Sequence, residues 1–216
     1  MKTERTTLKR LPERGSHERE AIDAILDEAL LCHLGVVDGE GRPFVIPTIH
    51  ARAGDVLYLH GSPASRALRT ARDGGIDVCV TATLLDGLVL ARSAFHHSMN
   101  YRSAVVYGRA TKVEDPAEKV AALTALVEHV VAGRSEGCRP PDEQEVKGTL
   151  VLAVPLDEAS AKVRTGAPLD DEADLGLPVW AGHVPLSIVA GEPVADAGVT
   201  EPWPGYELVR PAAGTG

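Results

Sequence analysis

A small, largely antiparallel β-barrel with a few helices around it is the architecture that this 216-residue sequence predicts. Three observations carry that expectation. Short runs rich in Val, Leu and Ile recur along the chain, separated by Gly, Asp and Pro turn signals. Several runs alternate apolar and polar residues with a period of two, the mark of a half-buried strand. Only three stretches carry helical spacing. About seven to eight strands joined mostly by short turns must pair antiparallel, which makes the class mainly β, or α+β.

Residues 1–15 form an arm in which Pro12 and Gly15 discourage helix. Ser16 is the expected N-cap of an amphipathic helix over 17–30, with Ile22, Ile25, Leu26, Ala29 and Leu30 on one face. Strands are expected at 31–37 and 43–52, around the Asp38-Gly39-Glu40-Gly41 turn. Pro47 lies inside the second and makes it an edge strand or an interrupted one, which leaves backbone groups at Pro47 and Thr48 open. A third strand, 56–61, runs into a short helix that Gly74-Gly75 ends. Residues 76–85 alternate strictly, Asp86-Gly87 signals a hairpin turn, and 88–95 return. A long strand over 101–115 precedes the helix that Pro116 starts. A polar loop (134–147), a strand (149–156), the segment 160–166 and a last strand within 179–191 follow. The expected division is an arm (1–15), one domain (16–195) and a tail (196–216).

Net charge is −9, which argues against nucleic acid as the main partner. The charge is uneven: residues 60–112 hold seven Lys/Arg against three Asp/Glu, and 157–216 hold three against ten. An anion therefore belongs in the middle of the chain. Cys32, Cys79 and Cys138 are odd in number and lack CxxC spacing, so they give neither a disulfide framework nor a zinc motif and fit a reducing cytoplasm. The charged N-terminus is no signal peptide, and no apolar run reaches the roughly 20 residues that span a bilayer.

Two stretches carry candidate chemistry. In residues 59–69, LHGSPASRALR, a strand ends at His60 and Gly61 and a helix begins. Ser62 and Ser65 offer hydroxyls, and Arg66, Arg69 and Arg72 share one broad helix face. That is either a phosphate site at a helix N-terminus or a capped helix with a basic face. Neither a Walker A loop nor GxGxxG is present. In residues 92–108, RSAFHHSMNYRSAVVYG, His96, His97, Asn100, Arg102 and Ser103 crowd between two apolar runs, as a lined pocket or as a polar corner. Adjacent strand residues face opposite ways, so His96 and His97 make a poor metal pair, and no metal is expected. Lys162 and Arg164 share a face, to meet an anion or to balance Asp157 and Glu158. Trp180 is a flat wall or a core residue. No GxSxG elbow is present.

These segments in this order, with VIPT (45–48), AKVRTG (161–166) and WAGHVPL (180–186), resemble the pyridoxamine 5′-phosphate oxidase-like proteins, in their bacterial flavin-nucleotide-binding branch. The resemblance spans roughly residues 8–195. It implies an FMN-binding split barrel that forms a homodimer, with FMN in clefts at the interface. Pro47 and Thr48 would run beside the isoalloxazine, His60, Gly61 and Ser62 along the ring and ribityl chain, and Ser65 and Arg66 at the phosphate. Asn100, Arg102 and Ser103, with His96 or His97, would close the cleft, and Lys162, Arg164 and Trp180 would sit near the ring. The implied activity is an FMN-dependent oxidoreductase of unassigned substrate, with a nicotinamide as possible reductant. Alternatives are a flavin carrier or sensor without turnover, or a related barrel holding haem or a deazaflavin. The basic C-terminal signature of true pyridoxamine phosphate oxidases is missing, and the tail instead carries Glu201 and Glu207.

Overall fold

The computed structural model describes residues 2–62 and 74–208. Its centre is one antiparallel hairpin, β6 (Ile76–Leu90) with β7 (Ser98–Lys112). On one side β2 (Cys32–Val37) pairs with β6, and β3 (Pro43–Thr48) closes that edge. On the other side β7 divides its partners. Tyr101 to Tyr107 pair with β9 (Glu158–Arg164), and Thr111 and Lys112 pair with β8 (Leu150–Pro155). Next come β5 (Val56–Gly61) and then β4 (His50–Ala53). The two-residue β1 (Gly15–Ser16) lies against β9, and β10 (Gly182–Pro185) against β6. All these ladders are antiparallel, and the sheet curls into the half-barrel of a split-barrel fold with helices outside it.

Period-two alternation decides which side chains fill the curl. Ile76, Val78, Val80 and Ala82 point inward from β6, and Ala104, Val106 and Ala110 from β7. Leu57, Leu59, Leu152 and Val154 meet them from β5 and β8. Helix α1 (Arg19–Glu28) closes one opening with Ile22, Ile25 and Leu26, three residues that are at most 3% exposed. Helix α2 (Pro116–Val130) begins with Asp115 accepting from Glu118 N at 2.8 Å, and it packs Ala122 over Tyr58 and Val151. The short α3 (Glu143–Gly148) carries a capping box between Asp142 and Glu145.

Five local expectations change. The expected loop over 134–147 holds a 3-10 turn (Arg134–Gly137) and most of α3, which the Asp142–Glu145 capping box starts. The 43–52 strand divides at Ile49, so Pro47 stands on an outer edge strand, where its missing N–H costs nothing. Asp86-Gly87 does not turn the chain. β6 runs straight through it with a bulge between Leu85 and Gly87, because β10 pairs there and Val184 O would sit 2.9 Å from any Cβ on Gly87. The true turn lies at 91–97. Ser16 is no N-cap. Its hydroxyl accepts from Glu18 N at 3.0 Å, and α1 begins three residues on, at Arg19. The last strand shrinks to four residues.

Arg102 of β7 locks these pieces together. Its Nε and Nη2 donate to both carboxylate oxygens of Asp86 at 3.0 and 2.8 Å, and Nη2 also donates to Glu28 Oε1 at 2.8 Å. The bulge of β6, the end of α1 and the middle of β7 are thereby tied to one guanidinium. The three side chains are 17%, 30% and 16% exposed, so the pairs lie between surface bridges and fully buried ones. Replacing Arg102 with Met leaves two partly buried carboxylates unpaired and is expected to cost about 2–3 kcal/mol in urea unfolding. Adding Glu28→Gln and Asp86→Asn to that variant should recover part of the loss.

Candidate functional site

Helix α1 ends with carbonyls that its own turns do not satisfy. Two buried imidazoles meet them: His50 Nε2 lies 2.8 Å from Leu26 O, and His129 Nε2 lies 2.8 Å from Ala29 O. The two rings stand 4.6 Å apart and join β4, α1 and α2 into one block. Beside that block, between β5, α2 and the loop after it, opens a cavity of about 600 Å³. Its wall is aliphatic: Ile49 from the β3–β4 junction, then Leu123, Leu126, Val127 and Val130 along α2. Pro140 and Pro141 cover one side. Arg134 and Arg139 line it from the loop, where Arg139 already meets Glu145 at 2.6 Å and Arg134 meets Tyr206 Oη at 3.3 Å.

His60, near the end of β5, puts its imidazole into this cavity wall. Its Nδ1 is buried and has no hydrogen-bond partner among the described residues. Burial pushes its pKa below the ordinary histidine value, which favours the neutral ring. An aliphatic slot, a neutral imidazole and two guanidiniums suit a flat apolar ligand that carries acidic groups. The sequence offered little signal for this cavity beyond the apolar stripe of α2.

The other expected site residues fall into separate groups. Pro47 and Thr48 stand on the sheet's outer edge, with Pro47 exposed and Thr48 half-buried. Gly61 pairs with Leu150 at the end of β5, and Ser62 is exposed beyond it. Ser65 and Arg66 lie outside the described residues. His96 and His97 sit in the β6–β7 turn and both contact Ser93. His96 Nδ1 meets Ser93 Oγ at 2.8 Å, and His97 Nδ1 meets Ser93 O at 2.9 Å. His96 Nε2 also lies 3.9 Å from Asp171 Oδ1, on a half-exposed surface that includes Asp174. Asn100 is buried and bonded to Arg164 and to Gly166 O. Arg102 is engaged by Glu28 and Asp86, with its pKa raised by those partners. Ser103 is half-buried between Thr83 and Lys162 on the neighbouring strands. Lys162 reaches Arg10 O at 3.3 Å, and Trp180 is 66% exposed. The structure thus brings Asn100 to Arg164 and Ser103 to Lys162, and holds His60 apart from both pairs on another part of the sheet.

A curled antiparallel sheet with outer helices and an edge strand broken after Thr48 defines a split-barrel protein. The chain belongs to the pyridoxamine 5′-phosphate oxidase family, whose model matches residues 18–163. Among solved structures it is similar to the flavocytochrome Anf3 from Azotobacter vinelandii, at 40% identity over 94% of each chain with a TM-score of 0.87. A FAD- and haem-binding protein from Mycobacterium smegmatis matches at 35% identity, over 89% of this chain and 94% of that one, with a TM-score of 0.83. Protein Rv2991 from Mycobacterium tuberculosis shares the fold alone, at 15% identity and a TM-score of 0.52 over 82% of this chain and 95% of that one. No curated protein matches. Among the described residues no helix is long and apolar enough to cross a membrane.

The thiols differ in access. Cys32 is fully buried, and burial pushes its pKa up to about 12. Cys138 is exposed at the cavity. A thiol reagent at neutral pH should label Cys138 first in the native protein and reach Cys32 only after denaturant is added. Mass spectrometry of labelled peptides checks the order.

Proposed function

We propose that this protein is a redox protein that binds both a flavin and haem, acting as an oxidoreductase in the form of a homodimer. What carries the reading is the 40% identity, over nearly the whole of both chains, to a flavocytochrome. The cavity beside α2 supports the haem part. Its volume lies within the range of ordinary ligand pockets, roughly 300–1,000 Å³. His60 supplies an imidazole ligand there, and Arg134 and Arg139 supply cations for carboxylates. Under this reading His60 belongs with the haem and not with the ribityl chain.

The flavin part rests on the family and on the open edge of β3. FMN, or the FMN half of FAD, would lie along Pro47 and Thr48, with its phosphate toward Ser62, Ser65 and Arg66. Exposed apolar side chains on the sheet support a second copy as the cover: Val45 on β3, Leu85 and Leu88 on β6, and Met99 on β7. Flavin when bound supplies one- and two-electron chemistry, and haem supplies one-electron chemistry. The protein's own groups bind, orient and exclude water. The aliphatic wall of α2 would pack against a bound ring and exclude water from it, and neutral His60 would hold a lone pair without competing protonation. A nicotinamide is the proposed reductant.

The absorbance spectrum of freshly purified protein tests the reading. Paired near-ultraviolet and blue flavin bands plus an intense Soret band are expected. A colourless chain that takes up neither flavin nor haem overturns it, and flavin that no nicotinamide reduces identifies a carrier instead. His60→Ala should abolish the Soret band and leave the flavin bands. Arg66→Ala should weaken flavin binding about tenfold or more, the scale of one charge-assisted phosphate contact, while Arg109→Ala leaves it unchanged.

A further inference from the structure

Arg164 is 6% exposed, yet no described carboxylate lies within ion-pair distance of it. Three other arginines show what such a group usually meets. Arg5, Arg52 and Arg102 each place the Nε–Nη2 edge of the guanidinium against one carboxylate. That edge presents two parallel N–H groups and is the natural partner of two oxygens. In Arg164 the acceptors are all neutral. Nη1 donates to Asn100 Oδ1 and, at 3.2 Å, to Gly166 O, and Nη2 donates to Ala167 O at 3.1 Å. Nε donates to no described residue. A buried cation without a counter-ion is costly, and burial together with the nearby Arg14 charge lowers this guanidinium's pKa.

The neighbours add charge of the same sign. Lys162 lies two residues earlier on the same face of β9, and its Nζ touches only the backbone oxygen of Arg10. Pairing of Gly15 with Lys162 lays the arm beside β9 and brings Arg14 next to it. Neither Arg10 nor Arg14 has a carboxylate partner among the described residues, and Glu13 of the same turn makes no ion pair there. Arg10, Arg14, Lys162 and Arg164 so placed make a local excess of positive charge in a chain of net charge −9, which favours an anion carrying more than one charge.

We infer that β9 and the N-terminal arm form an oxyanion site for a phosphate-bearing ligand. The Nε–Nη2 edge of Arg164 takes two oxygens, and Arg14 and Lys162 balance the remaining charge. The inference does not depend on the flavin or haem reading. The shared chemistry is a diphosphate, which a dinucleotide flavin, a nicotinamide dinucleotide or a free organophosphate could supply.

Isothermal titration of the full chain with inorganic pyrophosphate at low salt tests it. Saturable binding of one pyrophosphate per chain is expected. It should weaken at least tenfold in Arg14→Ala and in Arg164→Lys, which keeps a charge but loses the two-pronged edge. Arg109→Ala should bind as the parent does. Thermal unfolding of each variant shows that the fold survives, and Arg14→Ala, in the arm, carries the test should Arg164→Lys fail to fold. Absence of pyrophosphate binding, or equal binding in the parent and Arg14→Ala, overturns the inference. The source follows from three further arms with the Arg14 variant. Loss of FAD affinity with FMN affinity kept assigns the diphosphate to a dinucleotide flavin. Loss of NADPH affinity with both flavins kept assigns it to the nicotinamide. Loss for pyrophosphate alone assigns a free organophosphate.

Discussion

Everything in this molecule is hung on β7, and Arg102 is the interaction that fixes β7 in place. The strand pairs with β6 along its length, with β9 over its first half and with β8 at its end. A strand with three partners must not slip, because a one-residue shift would turn every inward Ala and Val outward. Arg102 prevents slippage in two directions. Its grip on Asp86 pins the β6 bulge opposite it, and its grip on Glu28 pins the end of α1 over the barrel mouth. These are contacts 16 and 74 residues apart in sequence. The local hairpin and the long-range closure therefore share one side chain.

The block beside the cavity follows the same logic of satisfying polar groups with distant partners. Helix α1 stops at Glu28, and the carbonyls it leaves are met by His50 from β4 and His129 from α2. Because both imidazoles point at α1, α2 is held over β4 and β5 at a fixed spacing. Its Leu and Val face then roofs a hollow that the short side chains of the barrel do not fill. His60 is the one imidazole on the cavity side of this arrangement. Three histidines on neighbouring elements thus have different surroundings: His50 and His129 meet the end of α1, and His60 lines the cavity.

Much of the fold was legible because it follows local rules. The alternation in β6 named its inward residues, Pro47 placed β3 at an edge, and Pro116 marked the start of α2. The failures have one cause, which is pairing that the local sequence does not contain. Asp86-Gly87 has the chemistry of a tight turn, but β10 reaches it from 98 residues away and holds it extended. The site was less legible than the fold. Asn100 and Arg102 looked like free donors because their partners, Arg164, Asp86 and Glu28, are set by the topology. His60 sat next to a phosphate-like motif in sequence, yet its ring faces the opposite helix. Ser65 and Arg66 lie outside the described residues.

Scarce aromatics shape how such a protein can hold a flat ligand. Only 4% of residues are aromatic, and Phe95 and both tryptophans are about half exposed or more, at 90%, 66% and 49%. No described Phe or Trp is buried to stack on a ring. Under the proposed reading, a planar group in the cavity beside α2 would be gripped by aliphatic walls and fixed by charge at its rim. Aliphatic contact is non-directional and follows the apolar area removed from water, so it holds a ring without setting its orientation. Under the proposed reading, orientation would fall to the polar groups: His60 and the loop arginines at the cavity. Such a division would make the cations the specific elements of the site. It would also give a use to arginines such as Arg134 and Arg164, which no described carboxylate pairs in this strongly acidic chain.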